Sequence, residues 1–293
     1  MTNSFDVLSD QLEQHHYIAD TDLVTTLSLM DTLERPLLIE GDAGVGKTEI
    51  AKVLAEVNEC PLIRLQCYEG LDASTSVYEW NYSHQLLSIK MMEEGNASYE
   101  QKDAGIFNEA FLLERPLLQA IRQQTAPVLL IDEIDRADEA FEAFLLELLS
   151  DFQITIPELG TMKATSIPKV VLTSNGTREL SDALRRRCLY HYMEYPNLEK
   201  ELRIIHARLP NIETKLAQQV AEFLQKLRGV ELRKQPGIAE TLDWATALMG
   251  QGVETLTADD FVVNSSRSCL LKTQDDVVRL NTKTVSEMLT TLS

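Results

Sequence analysis

The sequence predicts an α/β protein in which a mostly parallel, five-stranded sheet is followed by an all-helical second domain. Short apolar runs such as VLLID at 128–132 alternate with segments of helical periodicity up to residue 195. This alternation is typical of parallel strands that are covered by helices on both faces. After Pro196 the apolar runs stop and only helical spacing continues, which indicates a change of architecture.

The predicted strands are PLLIEG at 36–41, PLIRLQC at 61–67, VLLID at 128–132, KVVLTSN at 169–175 and LYHYMEY at 189–195. Of these, VLLID is a continuous apolar run of the kind found in strands buried on both faces, and KVVLTSN is interpreted as another buried strand. Helical spacing predicts helices after the glycine-rich turn at 41–46, over 112–124 and from Asp138 to Phe152. Residues 152–165 alternate and contain Pro and Gly, which predicts a hairpin, and 91–105 is interpreted as an exposed insertion.

Two further helices are predicted at 212–227 and 238–249, and TADDF at 257–261 predicts the start of a third. We place the domain boundary near 197–200. Residues 1–198 are then an αβα core with an N-terminal helix and inserted hairpins, and 199–293 are a helical domain.

The composition excludes several classes of protein. The apolar fraction of 44% is too high for general disorder, and no run of apolar residues is long enough to span a membrane. The net charge of −19 argues against a broad nucleic-acid surface, which needs clustered Lys and Arg. The polar, acidic N-terminus lacks the features of a signal peptide, so we expect a cytoplasmic protein with reduced cysteines buried in its core.

The stretch GDAGVGKT matches the phosphate-binding loop pattern G-x-x-x-x-G-K-[ST], and it lies between a predicted strand and a predicted helix. Its glycines allow a tight bend in which backbone N–H groups bind phosphate oxygens. We expect Lys47 to reach the β- and γ-phosphates and the Thr48 hydroxyl to bind Mg²⁺. The predicted nucleotide-binding residues are Gly41, Asp42, Ala43, Gly44, Val45, Gly46, Lys47, Thr48 and Asp132.

Polar residues follow two of the predicted strands. In VLLIDEID, Asp132 is the expected Mg²⁺ ligand and Glu133 the expected general base for an attacking water. Asp135 is interpreted as a cap or local salt-bridge partner. Asn175 ends another strand, at the edge where α/β sheets bind ligands, and could orient the water. Since Asn-Gly is also a strong turn signal, a turn residue is the alternative.

Together these segments resemble the AAA+ ATPase plan. LLIDEIDRADEAFEAFLLELLSDFQITIPELGT, followed by VVLTSNGTRELSDALRRRCLYHYMEYP, resembles the MoxR family. Within it the chain is most similar to the CoxD-type branch, to which KQPGIAETLDWATAL at 234–248 also corresponds. The resemblance extends from about residue 20 to the C-terminus and gives the helical domain the role of an AAA+ lid.

The resemblance implies Mg²⁺-dependent hydrolysis of ATP in a ring, most often a hexamer, with an arginine of one subunit reaching the γ-phosphate held by its neighbour. Arg187 is our first choice for this arginine finger and Arg186 the second, while Arg185 is expected to pair with an acid such as Asp182 or to face solvent. Solvated arginines after a helix are the alternative interpretation. A head-to-tail contact of this kind closes a ring.

The resemblance also implies a chaperone-like role in metalloenzyme maturation. The implied partners are a von Willebrand factor A domain protein and a molybdenum hydroxylase client. Many AAA+ lids carry a nucleotide-sensing arginine just after a proline, but here Gly237 follows Pro236. Arg233 or Lys234, just upstream, could substitute.

Three alternative functions share parts of the pattern. A P-loop phosphotransferase would not need Glu133, Asn175 and Arg187 together. An AAA+ motor or clamp-loader-like protein acting on nucleic acid conflicts with the acidic charge. A non-hydrolysing nucleotide-bound scaffold would not need intact Lys47, Asp132 and Glu133.

Overall fold

Parallel strands occupy the region where the continuous apolar runs predicted them. The computed structural model describes residues 4–93 and 108–292. The strands of these residues are β1 (Leu37–Gly41), β2 (Leu62–Gln66), β3 (Tyr78–Trp80), β4 (Leu112–Glu114), β5 (Val128–Asp132), β6 (Gln153–Ile156), β7 (Gly160–Lys163), β8 (Lys169–Ser174) and β9 (Leu189–Met193). All five predicted strands of the main sheet are confirmed.

The helices fall into two groups along the chain. Those up to residue 187 are α1 (Ser4–Gln14), α2 (Thr21–Leu33), α3 (Lys47–Val57), α4 (Ala73–Val77), α5 (Tyr82–Glu93), α6 (Pro116–Arg122), α7 (Glu139–Asp151) and α8 (Asp182–Arg187). Those after residue 197 are α9 (Leu198–Arg208), α10 (Thr214–Arg228), α11 (Ile238–Gly250), α12 (Asp260–Leu270), α13 (Gln274–Arg279) and α14 (Thr282–Thr290).

The main sheet has the strand order β2-β5-β8-β1-β9. The pairs β2–β5, β5–β8 and β8–β1 are parallel, with Leu130 opposite Val171 and Leu37 opposite the same valine. Every residue of β5 is buried, and so are the last five of β8, as expected for strands with apolar side chains on both faces. Because these strands run in one direction, their carboxyl ends lie along one edge of the sheet.

The predicted helix over 112–124 is wrong at its start. Residues 112–114 form β4, which pairs antiparallel with β3, and the helix begins only at Pro116. A proline lacks the N–H that the first turn of a helix leaves unpaired, and it forces the residue before it into extended backbone. Arg115 has that conformation, with φ −99° and ψ 169°. Pro116 therefore sets the boundary.

The predicted hairpin at 152–165 is confirmed as the antiparallel pair β6–β7. The helix starts predicted at Asp138 and in TADDF are also confirmed, because Asp138 and Asp259 each accept a backbone N–H as N-cap residues. Residues 91–93 of the predicted insertion belong to α5, and the rest of it lies outside the described residues.

The chain divides into two compact units. One consists of residues 22–40 and 51–192, and the other of 1–21, 41–50 and 193–293. The first unit has an apolar core around β5 and β8, to which α6 and α7 contribute Leu117 and Leu145. The second has its own core, built mainly from α10, α11 and α12. The domain boundary near residue 198 stays a prediction.

The cysteines only partly match their predicted burial. Cys67 and Cys188 are buried, and burial raises the pKa of each thiol to about 12. Cys60 and Cys269 are half-buried, so the expectation that all four lie in the core is wrong for these two.

None of the helices in the described part of the chain has the length and apolar character that a bilayer-spanning segment requires.

Candidate functional site

The phosphate-loop motif forms a turn between β1 and α3, in the sequence context that was predicted. Gly44 and Gly46 have φ of 85° and 97°, a region of backbone conformation that glycine adopts without a Cβ clash. Gly41 is required for a different reason, because a Cβ there would lie 2.2 Å from the carbonyl oxygen of Met193. Each glycine therefore has a specific steric role.

Lys47 begins α3 and is 7% exposed. Its Nζ donates to the carbonyl oxygens of Gly41 and Asp42 at 2.6 and 2.7 Å. These bonds hold the ammonium over the loop, beside the N-terminus of a helix whose free N–H groups favour anions. Thr48 follows in the first turn of the same helix. The predicted binding residues from Gly41 to Thr48 thus form one continuous local structure.

Asp132 ends β5 and is 3% exposed. One carboxylate oxygen accepts the hydroxyl of Thr173 at 2.5 Å, and the other accepts the guanidinium of Arg64 at 2.5 Å. A buried carboxylate is stable when it is paired and hydrogen-bonded in this way. Two neighbouring strands, β8 and β2, therefore orient the predicted metal ligand.

Glu133 occupies the left-handed region, with φ 56° and ψ 50°, which is uncommon for a residue with a side chain and typical of functional sites. Its backbone N–H donates to the Thr173 hydroxyl at 2.9 Å. Its carboxylate accepts from Gln66 at 3.1 Å and from Arg136 at 3.0 Å, and remains one-third exposed. Glu133 is thus held at the surface beside the buried Asp132.

Asn175 follows β8 directly, and its backbone N–H donates to the carboxylate of Asp135 at 3.2 Å. The same carboxylate oxygen accepts the N–H and the hydroxyl of Thr177, at 3.0 and 2.6 Å. Asp135 is therefore a local cap for the turn after β8, as predicted, and it links that turn to the segment after β5. Asp132, Glu133 and Asn175 are brought to neighbouring strand ends.

The three adjacent arginines end α8 and have different surroundings. Arg185 is paired with Glu40 at 3.3 Å, so the expected pairing with an acid is present, although the acid is not Asp182. Asp182 is in the first turn of the same helix, whereas Glu40 lies on β1. Arg186 and Arg187 are exposed. Neither guanidinium makes an ion pair with another side chain in the described part of the chain.

Arg35 holds the end of α8. Its guanidinium donates to the carbonyl oxygens of Arg186, of Arg187 at 3.2 Å and of Cys188 at 3.4 Å. The last carbonyls of a helix have no partner within the helix, and a cation stabilises them through both hydrogen bonds and the helix dipole. Arg35 therefore fixes the backbone from which the two exposed arginines extend.

The comparison that decides the family covers the region with this geometry. Residues 36–188 match the model of the AAA domain, dynein-related subfamily. The chain belongs to this AAA family. AAA domains are ATPase domains, and this AAA protein is an ATPase.

Relatives of this AAA protein occur among uncharacterized proteins of Staphylococcus aureus. In strain bovine RF122 / ET3-1, one is 26% identical over 243 residues, which are 80% of this chain and 84% of the relative. Another, in strain NCTC 8325 / PS 47, has the same identity and coverage. Among solved structures, the RuvB Holliday junction branch migration motor of Thermotoga maritima is 18% identical, with a TM-score of 0.46 over 90% of this chain and 69% of that one.

Sequence reasoning missed several residues of the AAA site. Arg64 and Gln66 contact Asp132 and Glu133 from β2, and Thr173 contacts both acids from β8. Strand alternation gives a partial signal, since residues 64 and 66 project on the same face of β2. No such signal indicates the pairing of Arg185 with Glu40 or the position of Arg35, because both depend on packing between distant segments.

Replacing Thr173 with valine, which has a similar shape, is expected to destabilise this AAA protein by about 1–3 kcal/mol. The carboxylate of Asp132 then loses the hydroxyl that donates to it, and the backbone N–H of Glu133 loses the oxygen that accepts from it. Urea denaturation measures the change. The matched control is Thr173→Ser, which keeps the hydroxyl and is expected to stay closer to the wild type. Equal free energies of unfolding for the valine variant and the wild type would contradict the structural role given to this hydroxyl.

Proposed function

We propose that this AAA ATPase works as a MoxR-type ring, in which a pocket of one copy is completed by Arg187, or by Arg186, of the next. The observation that supports this proposal best is the arrangement at the end of α8. Arg185 is engaged by Glu40 and the helix end is held by Arg35, while Arg186 and Arg187 extend into solvent. Two exposed cations on a fixed helix end, in an acidic protein, are suited to an anionic ligand on another molecule.

Within one copy, the proposed roles follow the chemistry of each group. Lys47 neutralises charge on the terminal phosphates, and the N–H groups of the loop bind phosphate oxygens. Glu133 accepts a proton from the attacking water as general base. Asn175 orients that water through its amide. The γ-phosphoryl group is then transferred to water, the bond to the β-phosphate oxygen breaks, and ADP and phosphate are released.

The donor set is appropriate for Mg²⁺ bound together with the nucleotide. The proposed ligands, the hydroxyl of Thr48 and the carboxylate of Asp132, are oxygen donors of the kind that Mg²⁺ prefers. In the described ranges, no three His, Cys, Asp or Glu side chains form a cluster that could hold an ion without help. Mg²⁺ usually binds through one or two carboxylates plus substrate phosphates. When bound, it would neutralise charge on the phosphate oxygens.

The ring is proposed to act as a chaperone-like remodeller in the cytoplasm. The resemblance to CoxD-type sequences supports a molybdenum hydroxylase as client and a von Willebrand factor A domain protein as partner. The head-to-tail use of an arginine supports a closed ring, with six copies as the proposed number. In this proposal, loss of the γ-phosphate changes the position of the helical domain and transmits force to the client.

Turnover per molecule is expected to fall as the protein is diluted, because a lone copy lacks the arginine of its neighbour. ATP hydrolysis measured over a range of concentrations, together with the mass of the assembly at each concentration, checks this. Glu133→Gln is the control, since it should assemble and bind ATP while turnover falls by about 100-fold or more. A constant rate per molecule down to the monomer would contradict the shared pocket.

A further inference from the structure

The phosphate loop is held by donors from the C-terminal part of its own unit. The carbonyl oxygen of Ala43 accepts the hydroxyl of Tyr195 at 3.0 Å. The next carbonyl, that of Gly44, accepts the backbone N–H of Ile238 at 2.9 Å. Since Ile238 is the first residue of α11, the start of this helix is attached directly to the backbone of the loop.

The contact between the loop and the start of α11 requires a glycine on both sides. A Cβ on residue 237 would lie 2.5 Å from the carbonyl oxygen of Gly44 and 2.6 Å from its Cα. A Cβ on Gly44 would lie 2.9 Å from the Cα of Gly237. Gly237 has extended backbone, with φ −90° and ψ −175°, which any residue can adopt. Position 237 therefore requires a glycine only because the two backbones lie so close together.

Arg228 connects the two contacts with the loop, the one made by Tyr195 and the one made by Ile238. Its guanidinium makes two bonds of 2.7 Å to the carboxylate of Glu201 and one of 3.1 Å to the carbonyl oxygen of Pro236. It also lies over the ring of Tyr195, 5.0 Å from the ring centre. The side chains of Arg228 and Glu201 are 8% and 1% exposed. One buried ion pair thus orients both the tyrosine and the segment before Gly237.

Of the two residues that were expected to replace a lid arginine, Arg233 has its guanidinium engaged elsewhere. The guanidinium of Arg233 is paired with Asp275 at 2.8 Å and is 71% exposed. The backbone N–H groups of Arg233 and Lys234 donate to the carboxylate of Asp276, at 2.8 and 3.4 Å. These contacts order the turn before α11. The residue of this segment that lies against Gly44 of the loop is Gly237, which carries no charge.

The bonds to the loop carbonyls matter because the loop binds phosphate through its N–H groups. A peptide plane that presents its N–H to an anion must point its carbonyl the other way, and a carbonyl without a partner is unfavourable there. Tyr195 and Ile238 supply such partners at Ala43 and Gly44. The phosphate-binding orientation of these planes therefore depends on where α11 begins.

We propose that Tyr195, Arg228, Gly237 and Ile238 form a loop clamp, a set of positioning residues that keeps the phosphate loop in its nucleotide-binding conformation in place of a lid arginine. The inference rests on the proposed nucleotide site. The clamp contacts the loop backbone only, so it controls nucleotide affinity and leaves the chemical step to other residues. Because the contact is mutual, phosphate binding to the loop in turn stabilises the start of α11.

The test is Gly237→Ala, measured in the full chain by titration with fluorescent ADP and by steady-state ATP hydrolysis. The added methyl group forces the two backbones apart, and we expect the Kd for ADP and the KM for ATP to rise about tenfold, as overpacking at a close contact implies. The kcat at saturating ATP is expected to stay within about twofold of the wild type. Gly250→Ala is the matched control in the same helix, since no atom lies within 4 Å of its added Cβ.

A second variant, Tyr195→Phe, keeps the ring beneath Arg228 and removes the hydroxyl that donates to Ala43. A rise of about threefold in the Kd for ADP, with kcat kept, is expected from the loss of one neutral hydrogen bond. Unchanged affinity in both variants would overturn the clamp. An equal loss of kcat with unchanged KM would also overturn it, because the clamp would then act on chemistry. A wild-type protein without ATP turnover would instead overturn the proposed function.

Discussion

Lys47→Ala is expected to abolish measurable nucleotide binding. The ammonium is the charged group that the loop itself holds in place, through bonds of 2.6 and 2.7 Å to its own carbonyls. In the proposed site this ammonium binds the β- and γ-phosphates. Charge-assisted bonds of this kind contribute about 1.5–3 kcal/mol each, so losing both weakens nucleotide binding by about 100-fold or more. Titration with fluorescent ADP and ATP measures the loss.

The matched control is Lys52→Ala, which removes an exposed ammonium from the same helix. This variant is expected to bind nucleotide like the wild type. If the two alanine variants bind equally well, the ammonium of Lys47 does not contact phosphate and the assignment of the loop is wrong. Urea denaturation of both variants separates a loss of binding from a loss of folded protein.

Arg187→Ala is expected to keep nucleotide binding and to lose hydrolysis, by about 1,000-fold or more if this side chain stabilises the transition state as an arginine finger. Its guanidinium is exposed and makes no ion pair among residues 4–93 and 108–292, so its removal leaves the fold intact. Arg186→Ala is the comparison, since it removes the neighbouring exposed cation. Steady-state hydrolysis and ADP titration of both variants decide which arginine acts.

Mixing the two inactive variants gives the sharpest test of a shared pocket. An Arg187→Ala copy has an intact loop, and a Lys47→Ala copy has an intact arginine. In mixed rings, about a quarter of the junctions join the two intact parts, so turnover is expected to return to about that fraction of the wild type. Rings in which subunits exchange freely are required, and mass measurements check this. No recovery in exchanged rings would show that each pocket uses only its own copy.

The parts of the site that sequence predicts well are local in the chain. The phosphate loop is one continuous turn with glycines at 44 and 46, and Asp132 ends a short apolar run that is typical of a buried strand. Both signals depend on backbone conformation and burial, which a short window of sequence determines. The cap role of Asp135 was also predicted, although its partners Asn175 and Thr177 are not local and lie 40 and 42 positions away.

The remaining contacts depend on packing between segments that are far apart in sequence. Arg185 pairs with Glu40 across 145 positions, and Arg35 binds carbonyls 151 to 153 positions away. The sequence suggested Asp182 as an ion-pair partner of Arg185, because the spacing of charges along a chain shows only near neighbours. The error at the start of α6, where the helix was predicted from residue 112, has a different cause. Pro116 permits a helix to begin, but it gives no information on whether the residues before it form a strand.

The bond network of Arg35 has a consequence for how copies of the chain would come together. Immobilising a flexible side chain at an interface costs about 0.5–1.5 kcal/mol in conformational entropy. Since Arg35 already orders the backbone at the end of α8 within a single copy, only the side chains of Arg186 and Arg187 remain to be immobilised there when copies meet. Two copies could then dock as preformed surfaces, and the rate of their encounter would fall with rising ionic strength, because Arg186 and Arg187 would attract the acidic neighbour over a distance.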